Sequence, residues 1–232
     1  MDYKNILEKT IRHLEGKKKI LFLTTSNRWI GEGGDKAKST LLAEKIAKQI
    51  GGKVTILDVP SLNIYPCEGN VSSAKGNYCG PKVSLLPDLE KNPSGCHRCW
   101  ASANNPDDEL WKISKELLQS DCVVFFGSVR WGQMNSFYQK LIERLTWLEN
   151  RHSTLGEDNI LKDIDAGLII TGHNWNEENV IKTQKQVLGF FGFKVIDDLC
   201  WYWRYTDYIE EESPESYTQA VVDFQKTFLD NE

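Results

Sequence analysis

The chain has 232 residues, a net charge of −5, 40% hydrophobic residues and 26% charged residues. A chain of this length buries a substantial core, and a single domain over residues 1–232 is the simplest organisation. The acidic balance argues against nucleic-acid binding, and no apolar run approaches the roughly 18 residues of a membrane span. Its first 16 residues combine mixed charge with a helical pattern rather than a signal peptide's apolar segment, so we expect a cytoplasmic protein.

Short apolar runs typical of buried strands alternate with stretches of helical spacing along the chain. We expect Ser39 or Thr40 to cap the second helix, Asp107 and Asp108 to lie in the first turn of a later helix, and Ser213 to cap the last one. The predicted strands are residues 19–25, 53–59, 122–126, 166–170 and 193–196, and the predicted helices are residues 1–16, 39–50, 107–120, 137–148, 177–191 and a segment after residue 213.

This alternation of strands and helices predicts an α/β fold with a parallel, doubly wound sheet. Right-handed crossovers leave few strand orders, of which 2-1-3-4-5 is favoured. Ligands of such sheets bind beside the carboxyl ends of the strands. The loops after the first, third and fourth strands are therefore the candidate site.

Residues 60–106 form a long irregular excursion that holds six of the seven prolines and four of the six cysteines. A loop this long is usually functional or has its own local structure. Cys67, Cys79, Cys96 and Cys99 allow an iron–sulfur cluster or zinc. The single C-x-x-C and the long gaps before it favour unligated thiols instead, and a cytoplasmic setting would keep them reduced.

The loop after the first strand lacks the glycine spacing of dinucleotide-binding folds and the Gly-Lys-Ser/Thr of a Walker loop. It offers hydroxyl, amide and cationic side chains at residues 25–28 and again at residues 38–40, where a helix begins. Such a helix start suits a terminal monophosphate like that of FMN. An ordinary helix cap with solvated charges is the alternative.

The loop after the third strand carries the most specific pattern. Ser128-Val129-Arg130-Trp131-Gly132-Gln133-Met134 resembles Pro-Val-Tyr-Trp-Gly-x-Met, and residues 140–144 (KLIER) resemble Lys-x-Phe-Ile-Asp-Arg. Residues 25–28 resemble Gly-Ser-x-Arg, and the Asp-Asp pair at 107–108 also matches. From about residue 19 to residue 193 the chain resembles the flavodoxin-like NAD(P)H-dependent FMN reductases, including the multimeric flavodoxin-like quinone reductases and the iron–sulfur flavoproteins.

This resemblance implies a flavodoxin-like three-layer sandwich with FMN as cofactor and NAD(P)H as co-substrate. Ser128 and Arg130 stand where the family has Pro and Tyr, and an Arg near the N1–C2=O edge of the ring would favour an anionic reduced flavin. By resemblance, the phosphate loop is Thr25, Ser26, Asn27, Arg28, Ser39 and Thr40; the ring is lined by Ser128, Val129, Arg130, Trp131, Gly132, Gln133 and Met134, and bordered by Gly172, His173 and Asn174.

Several of these positions have a second interpretation. Trp131 and Met134 are also compatible with core packing, and His173 with an ordinary surface position. The aromatic segment at residues 200–208 is either an edge strand with a packed loop or part of an interface or substrate pocket.

The sequence thus predicts an FMN-dependent oxidoreductase that passes electrons from NAD(P)H to a small acceptor such as a quinone, a nitro compound or a flavin. We assign no catalytic side chain, because the flavin itself carries this chemistry. The resemblance further implies a homodimer or homotetramer. The alternatives are a flavodoxin-type electron carrier and a binding protein that has the fold without the cofactor.

Overall fold

The structure, a computed structural model, describes residues 2–28, 32, 34–172, 175–206 and 208–230. No helix within these ranges has the length and apolar character needed to cross a membrane. The helices are α1 (Tyr3–Glu15), α2 (Lys38–Ile50), α3 (Trp100–Asn104), α4 (Leu110–Leu117), α5 (Ser136–Ser153), α6 (Glu177–Phe190) and α7 (Pro214–Phe224), and the strands are β1 (Ile20–Thr24), β2 (Val54–Asp58), β3 (Cys122–Arg130), β4 (Gln133–Met134), β5 (Asp165–Gly172) and β6 (Lys194–Arg204).

Five strands form a parallel sheet in the order β2-β1-β3-β5-β6. These are the five strands predicted from the sequence, so the predicted order 2-1-3-4-5 is confirmed. The short strand β4 is additional and pairs antiparallel with the end of β3.

The sheet is buried on both faces because successive strand residues point to opposite sides. Leu21, Leu23 and Phe125 pack on one face against α4, α5 and α6. Phe22 and Phe126 pack on the other face against α1, α2 and α7. The predicted three-layer sandwich is therefore confirmed.

The predicted end of the third strand, and with it the predicted loop at residues 129–134, is wrong. The strand does not stop at residue 126 but continues to Arg130, turns at Trp131 and Gly132, and returns as β4. The sequence pattern missed this hairpin because Gly127 and Ser128 interrupt the apolar run without interrupting the strand.

Two predicted helix starts also differ from the structure. Helix α2 begins at Lys38 after Ala37, whose side chain cannot cap it, so neither Ser39 nor Thr40 is the cap. Helix α4 begins at Leu110, which leaves Asp107 and Asp108 before the helix rather than in its first turn. The prediction for α7 is confirmed, since the Ser213 hydroxyl accepts the N–H of Ser216 in a capping box.

A buried network centred on Arg144 of helix α5 joins this helix to the excursion at residues 60–106 and to Asp108 just after it. The guanidinium of Arg144 donates to both carboxylate oxygens of Asp108, at 2.7 and 2.9 Å, and neither side chain is exposed. Arg144 also donates to the Tyr65 carbonyl at 2.7 Å and to the Ser102 hydroxyl at 2.9 Å. The excursion is thus held against α5 by an interior network rather than by surface contacts.

We predict that Asp108→Asn lowers the free energy of unfolding by about 3 kcal/mol or more, because it leaves the buried Arg144 without a charged partner. The measurement is urea unfolding at pH 7. Asp107→Asn is the matched control: this neighbouring carboxylate is exposed, and its loss should cost less than about 1 kcal/mol. Equal effects of the two substitutions would contradict the prediction.

The same pair predicts a pH dependence. Burial raises the pKa of Asp108. Hydrogen bonds from Arg144 and Ser102, together with the positive charge of Arg144, lower it by more, so the folded-state pKa lies below the ordinary value. Its stabilising contribution is therefore complete above the unfolded-state pKa, about 3.9, and is lost as pH falls through the lower folded-state value.

Candidate functional site

A cavity of about 720 Å³ opens at the carboxyl ends of β1, β3 and β5. Its volume falls within the range of about 300–1,000 Å³ that small-molecule sites span. The edge of the sheet predicted from the sequence therefore contains a site-sized cavity. The cavity is lined by Ser26, Asn27, Arg28, Ala37, Lys38, Ser128, Val129, Arg130, Trp131, Thr171, Gly172, Trp175, Tyr205, Tyr217 and Val221.

One end of the cavity lies at the start of α2. The residue before this helix, Ala37, provides no side-chain cap, as is also true at the starts of α3, α4 and α6, so among the described residues the first-turn N–H groups of α2 remain available to a ligand or water. The Ser39 hydroxyl donates to the Ser26 oxygen at 2.7 Å within the protein. Ser26, which lines the cavity, can therefore direct its own O–H at a ligand.

Among the described residues, three with cationic side chains line the cavity, Arg28, Lys38 and Arg130, and none with an acidic side chain does. Burial, followed by the charge of Arg28, lowers the pKa of Lys38, and Asp35 offsets this only in part. Within the described residues, none of the three cations forms an ion pair with a carboxylate. A negatively charged ligand would relieve this repulsion.

Tyr205 lies close to one of these cations. The Lys38 ammonium lies 5.5 Å from the centroid of its ring. Burial raises the pKa of Tyr205, while the charges of Arg130 and Arg28 act in the opposite direction. All four side chains belong to residues that line the cavity.

Two tryptophans form the rim on the hairpin side. Trp131 is 88% exposed and Trp175 is 46% exposed, and their rings meet edge to face with centroids 6.5 Å apart. Core packing is therefore excluded for Trp131. An exposed aromatic pair at the mouth of a cavity is a surface on which a flat ligand can stack.

The backbone at this rim is strained. Trp131 has φ +51° and Asn176 has φ +69°, the only positive φ values among described residues other than glycine. Asn176 donates its side-chain amide to the Gly132 carbonyl at 2.9 Å, which ties the β5–α6 loop to the hairpin turn. Such strain persists only where the surrounding structure holds it, and it clusters at functional sites.

Thr25 and Met134, predicted as cofactor-binding residues, are buried by contacts within the protein. Both the backbone N–H and the hydroxyl of Thr25 donate to the Phe126 carbonyl, at 2.8 and 3.1 Å. Met134 packs over Gly127, where a Cβ would lie 2.5 Å from the Met134 methyl. Neither residue lines the cavity.

The structure brings together about half of the predicted site residues. Ser39 is buried and is linked to the cavity by its hydrogen bond to Ser26. His173 and Asn174 lie outside the described residues. Those that line the cavity are Ser26, Asn27, Arg28, Ser128, Val129, Arg130, Trp131 and Gly172, and those that do not, besides Thr25, Ser39 and Met134, are Thr40, Gly132 and Gln133.

The wall formed by residues of α7 and the end of β6 was not among the predicted cofactor-binding residues. Tyr205, Tyr217 and Val221 come from a part of the chain outside the recognised resemblance. The aromatic segment at residues 200–208 was the available signal, and it divides in two: Trp201 and Trp203 are core residues on an edge strand, whereas Tyr205 faces the cavity.

The cysteines take no part in this site. All six are free thiols, and among the described residues no three His, Cys, Asp or Glu side chains are placed to hold a metal ion. The excursion at residues 60–106 contributes no residue to the lining of the cavity.

No family model matches the sequence, and no curated protein does. The fold is similar to that of solved structures. RosB, with its bound intermediate 8-demethyl-8-formylriboflavin-5′-phosphate, superposes with a TM-score of 0.59 at 15% identity, over 90% of this chain and 74% of RosB. The chain has a flavodoxin-like fold.

Two further structures with weaker similarity are described as reductases. An azoreductase from Bacillus anthracis str. Sterne has a TM-score of 0.49 at 14% identity, over 90% of this chain and 97% of that one. An NADPH-quinone reductase from P. pentosaceus has 0.45 at 8% identity, over 92% and 99%. The resemblance predicted from the sequence is confirmed at the level of the fold.

We predict that Trp131→Gly changes the free energy of unfolding by less than about 1 kcal/mol, although it removes an entire indole. Relief of the left-handed strain, about 1–3 kcal/mol, offsets the loss of the contact with Trp175 and the added chain entropy. Gly132→Ala instead adds a side chain where the backbone has φ +70°, and it should lower the free energy of unfolding by about 1 kcal/mol. Urea unfolding measures both, and a Trp131→Gly loss well above 1 kcal/mol would show that the indole stabilises the rim.

Proposed function

We propose that this protein is an FMN-dependent oxidoreductase that passes electrons from NAD(P)H to a small acceptor such as a quinone, a nitro compound or a flavin. The observation that carries the proposal is the cavity itself. It combines an uncapped helix start with hydroxyl and cationic donors at one end and an aromatic rim at the other. A flavin phosphate has the same two-part chemistry, an anionic end and a flat ring.

The phosphate would be held at the start of α2. Its charge of about −1.5 to −2 would meet Arg28 and Lys38, and its oxygens would accept from the Ser26 hydroxyl and the first-turn N–H groups. The lowered pKa of Lys38 fits this assignment, because burial and, after it, the charge of Arg28 disfavour the ammonium, and a bound phosphate would offset both. Ser39 would act as a positioning residue through its bond to Ser26.

The flavin ring would lie along the ends of β3 and β5. The two strands are paired here, Ser128 with Thr171 and Val129 with Gly172. Ser128, Val129 and Gly172 therefore present backbone and small groups rather than bulky side chains, which suits a flat ligand. Trp131 and Trp175 border the open side, where a nicotinamide or an acceptor would enter.

Bound FMN would supply the redox chemistry, accepting a hydride equivalent and passing it on. With a quinone the reaction balances as NAD(P)H, quinone and one proton giving NAD(P)⁺ and hydroquinone. The contribution of the chain is to bind the phosphate, orient the ring and admit the partners in turn. The proton can come from water through the exposed rim, so no acid side chain is required.

A second candidate function is favoured by RosB, whose bound flavin phosphate is an intermediate of its own reaction. By that analogy, the cavity would transform a flavin phosphate rather than retain it. The mass of the flavin recovered after turnover separates the two: an unchanged mass supports the oxidoreductase, and a changed mass supports the second candidate.

We predict that Arg28→Ala and Lys38→Ala each weaken FMN binding by about 10-fold or more, since each removes a charge-assisted contact to the phosphate. Fluorescence titration with FMN measures this. Riboflavin, which lacks the phosphate, should bind the wild type more weakly than FMN and be little affected by either substitution. The matched control is Lys36→Ala, because Lys36 is exposed and pairs with Glu44 outside the cavity.

Equal loss of FMN and riboflavin affinity in Arg28→Ala would sink the phosphate assignment. Anaerobic addition of NADH or NADPH then tests the activity: bleaching of the flavin absorption supports the reductase. Bleaching by dithionite alone would favour an electron carrier, and failure to take up FMN would favour a binding protein without the cofactor.

A further inference from the structure

The positive charges of the cavity lie on two different elements. Arg28 and Lys38 flank the start of α2, where one phosphate would take both. Arg130 is placed separately, at the end of β3 and directly before the turn of the hairpin. It is an exposed side chain that lines the cavity, and no carboxylate of the described residues pairs with it. A single phosphate bound at the start of α2 would therefore leave Arg130 without an anionic partner.

Arg130 lines the cavity together with Tyr205, the residue that follows the end of β6. A guanidinium without an internal partner binds a carboxylate or a sulfonate through two parallel hydrogen bonds.

The residue next to Arg130 supplies a different kind of contact. Trp131 presents an indole that is 88% exposed, and Trp175 meets its ring at an interplanar angle of 89°. The edge-to-face arrangement leaves a face of Trp131 open for stacking. Because residues 130 and 131 both line the cavity, a single flat molecule can contact both.

We propose that Arg130 and Trp131 form an acceptor subsite for a planar aromatic or quinonoid compound that carries a carboxylate or sulfonate. The subsite rests on the proposed function, since it assigns a substrate class to the same cavity. Trp131 supplies the stacking surface and Arg130 selects the charge. A quinone bound there takes up two electrons and two protons, one proton arriving with the hydride that NAD(P)H supplies and the other from water.

A competing role for Arg130 is stabilisation of a negative charge on the reduced flavin. That role would change the flavin midpoint potential and affect neutral and anionic acceptors alike. The acceptor subsite instead requires Arg130 to discriminate between acceptors of the same shape and different charge. The ratio of two kcat/KM values separates the two roles, because intrinsic reactivity cancels when the ratio is compared between variants.

The experiment compares 1,4-naphthoquinone-2-sulfonate with 1,4-naphthoquinone in the FMN-loaded protein. Arg130→Ala should lower the sulfonate-to-neutral ratio of kcat/KM about 10-fold or more, and Arg130→Lys should recover part of it because it retains the charge. Trp131→Ala should raise KM for both quinones and leave the ratio near that of the wild type. Arg12→Ala, which removes the same charge from an exposed position on α1, should leave the ratio unchanged.

A binding measurement decides the same question without turnover. Calorimetry with naphthalene-2-sulfonate and its neutral analogue naphthalene-2-sulfonamide should show tighter binding of the sulfonate to the wild type. The preference should weaken with added salt and disappear in Arg130→Ala.

Equal binding of the two naphthalene compounds, or a quinone ratio that Arg130→Ala leaves unchanged, overturns the subsite. The proposed function fails separately, through absence of FMN uptake or of NAD(P)H oxidation. In that event the calorimetric comparison on the protein without FMN still decides whether Arg130 recognises the anion.

Discussion

The Phe126 carbonyl is the point on which the candidate site depends. It accepts two hydrogen bonds from Thr25, one from the backbone and one from the hydroxyl, and the hydroxyl in turn accepts from the Asn135 amide at 3.1 Å. Asn135 also caps α5 by accepting the N–H of Tyr138. Gly127 is required beside them, because a Cβ there would lie 2.9 Å from the Thr25 hydroxyl. The end of β1, the end of β3 and the start of α5 are therefore joined in one buried junction, and the loops that leave it begin from fixed positions.

This junction explains why strain can be concentrated at the rim. The left-handed conformation of Trp131 is unfavourable by itself, but the hairpin that carries it is paired to β3 at Val129–Met134 and Arg130–Gln133. The Asn176 amide holds the turn from the other side through Gly132. An indole that would otherwise turn inward to bury its surface is kept exposed, which gives a ligand a pre-oriented surface and reduces the entropy that binding must cost.

Local patterns in the sequence predicted the sheet because parallel strands buried on both faces are continuous apolar runs. The same logic predicted that Ser26, Arg28 and Arg130 lie at the site, because ligands bind beside the strand ends in this architecture, and all three line the cavity. It failed where tertiary contacts decide the role. Thr25 and Met134 have side chains suited to a ligand loop, yet the close approach of β1 to β3 buries both.

The role of Asp108 likewise depends on a long-range contact. Its position predicted an interaction with a helix dipole, whereas the structure shows that it pairs with Arg144. Tyr205 lies 33 residues after Gly172, and nothing local in the sequence places it in the same cavity as Arg130.

The electrostatics of the cavity run against those of the whole protein. The net charge is −5, yet the part of the cavity lining that the structure describes has three cations and no acid. A uniformly acidic protein would repel anionic ligands; a concave positive region in such a protein restricts them to one place. Burial of Lys38 beside Arg28 costs free energy in the absence of a ligand, as its lowered pKa indicates. A bound anion that neutralises both cations, as proposed for the flavin phosphate, would remove this cost.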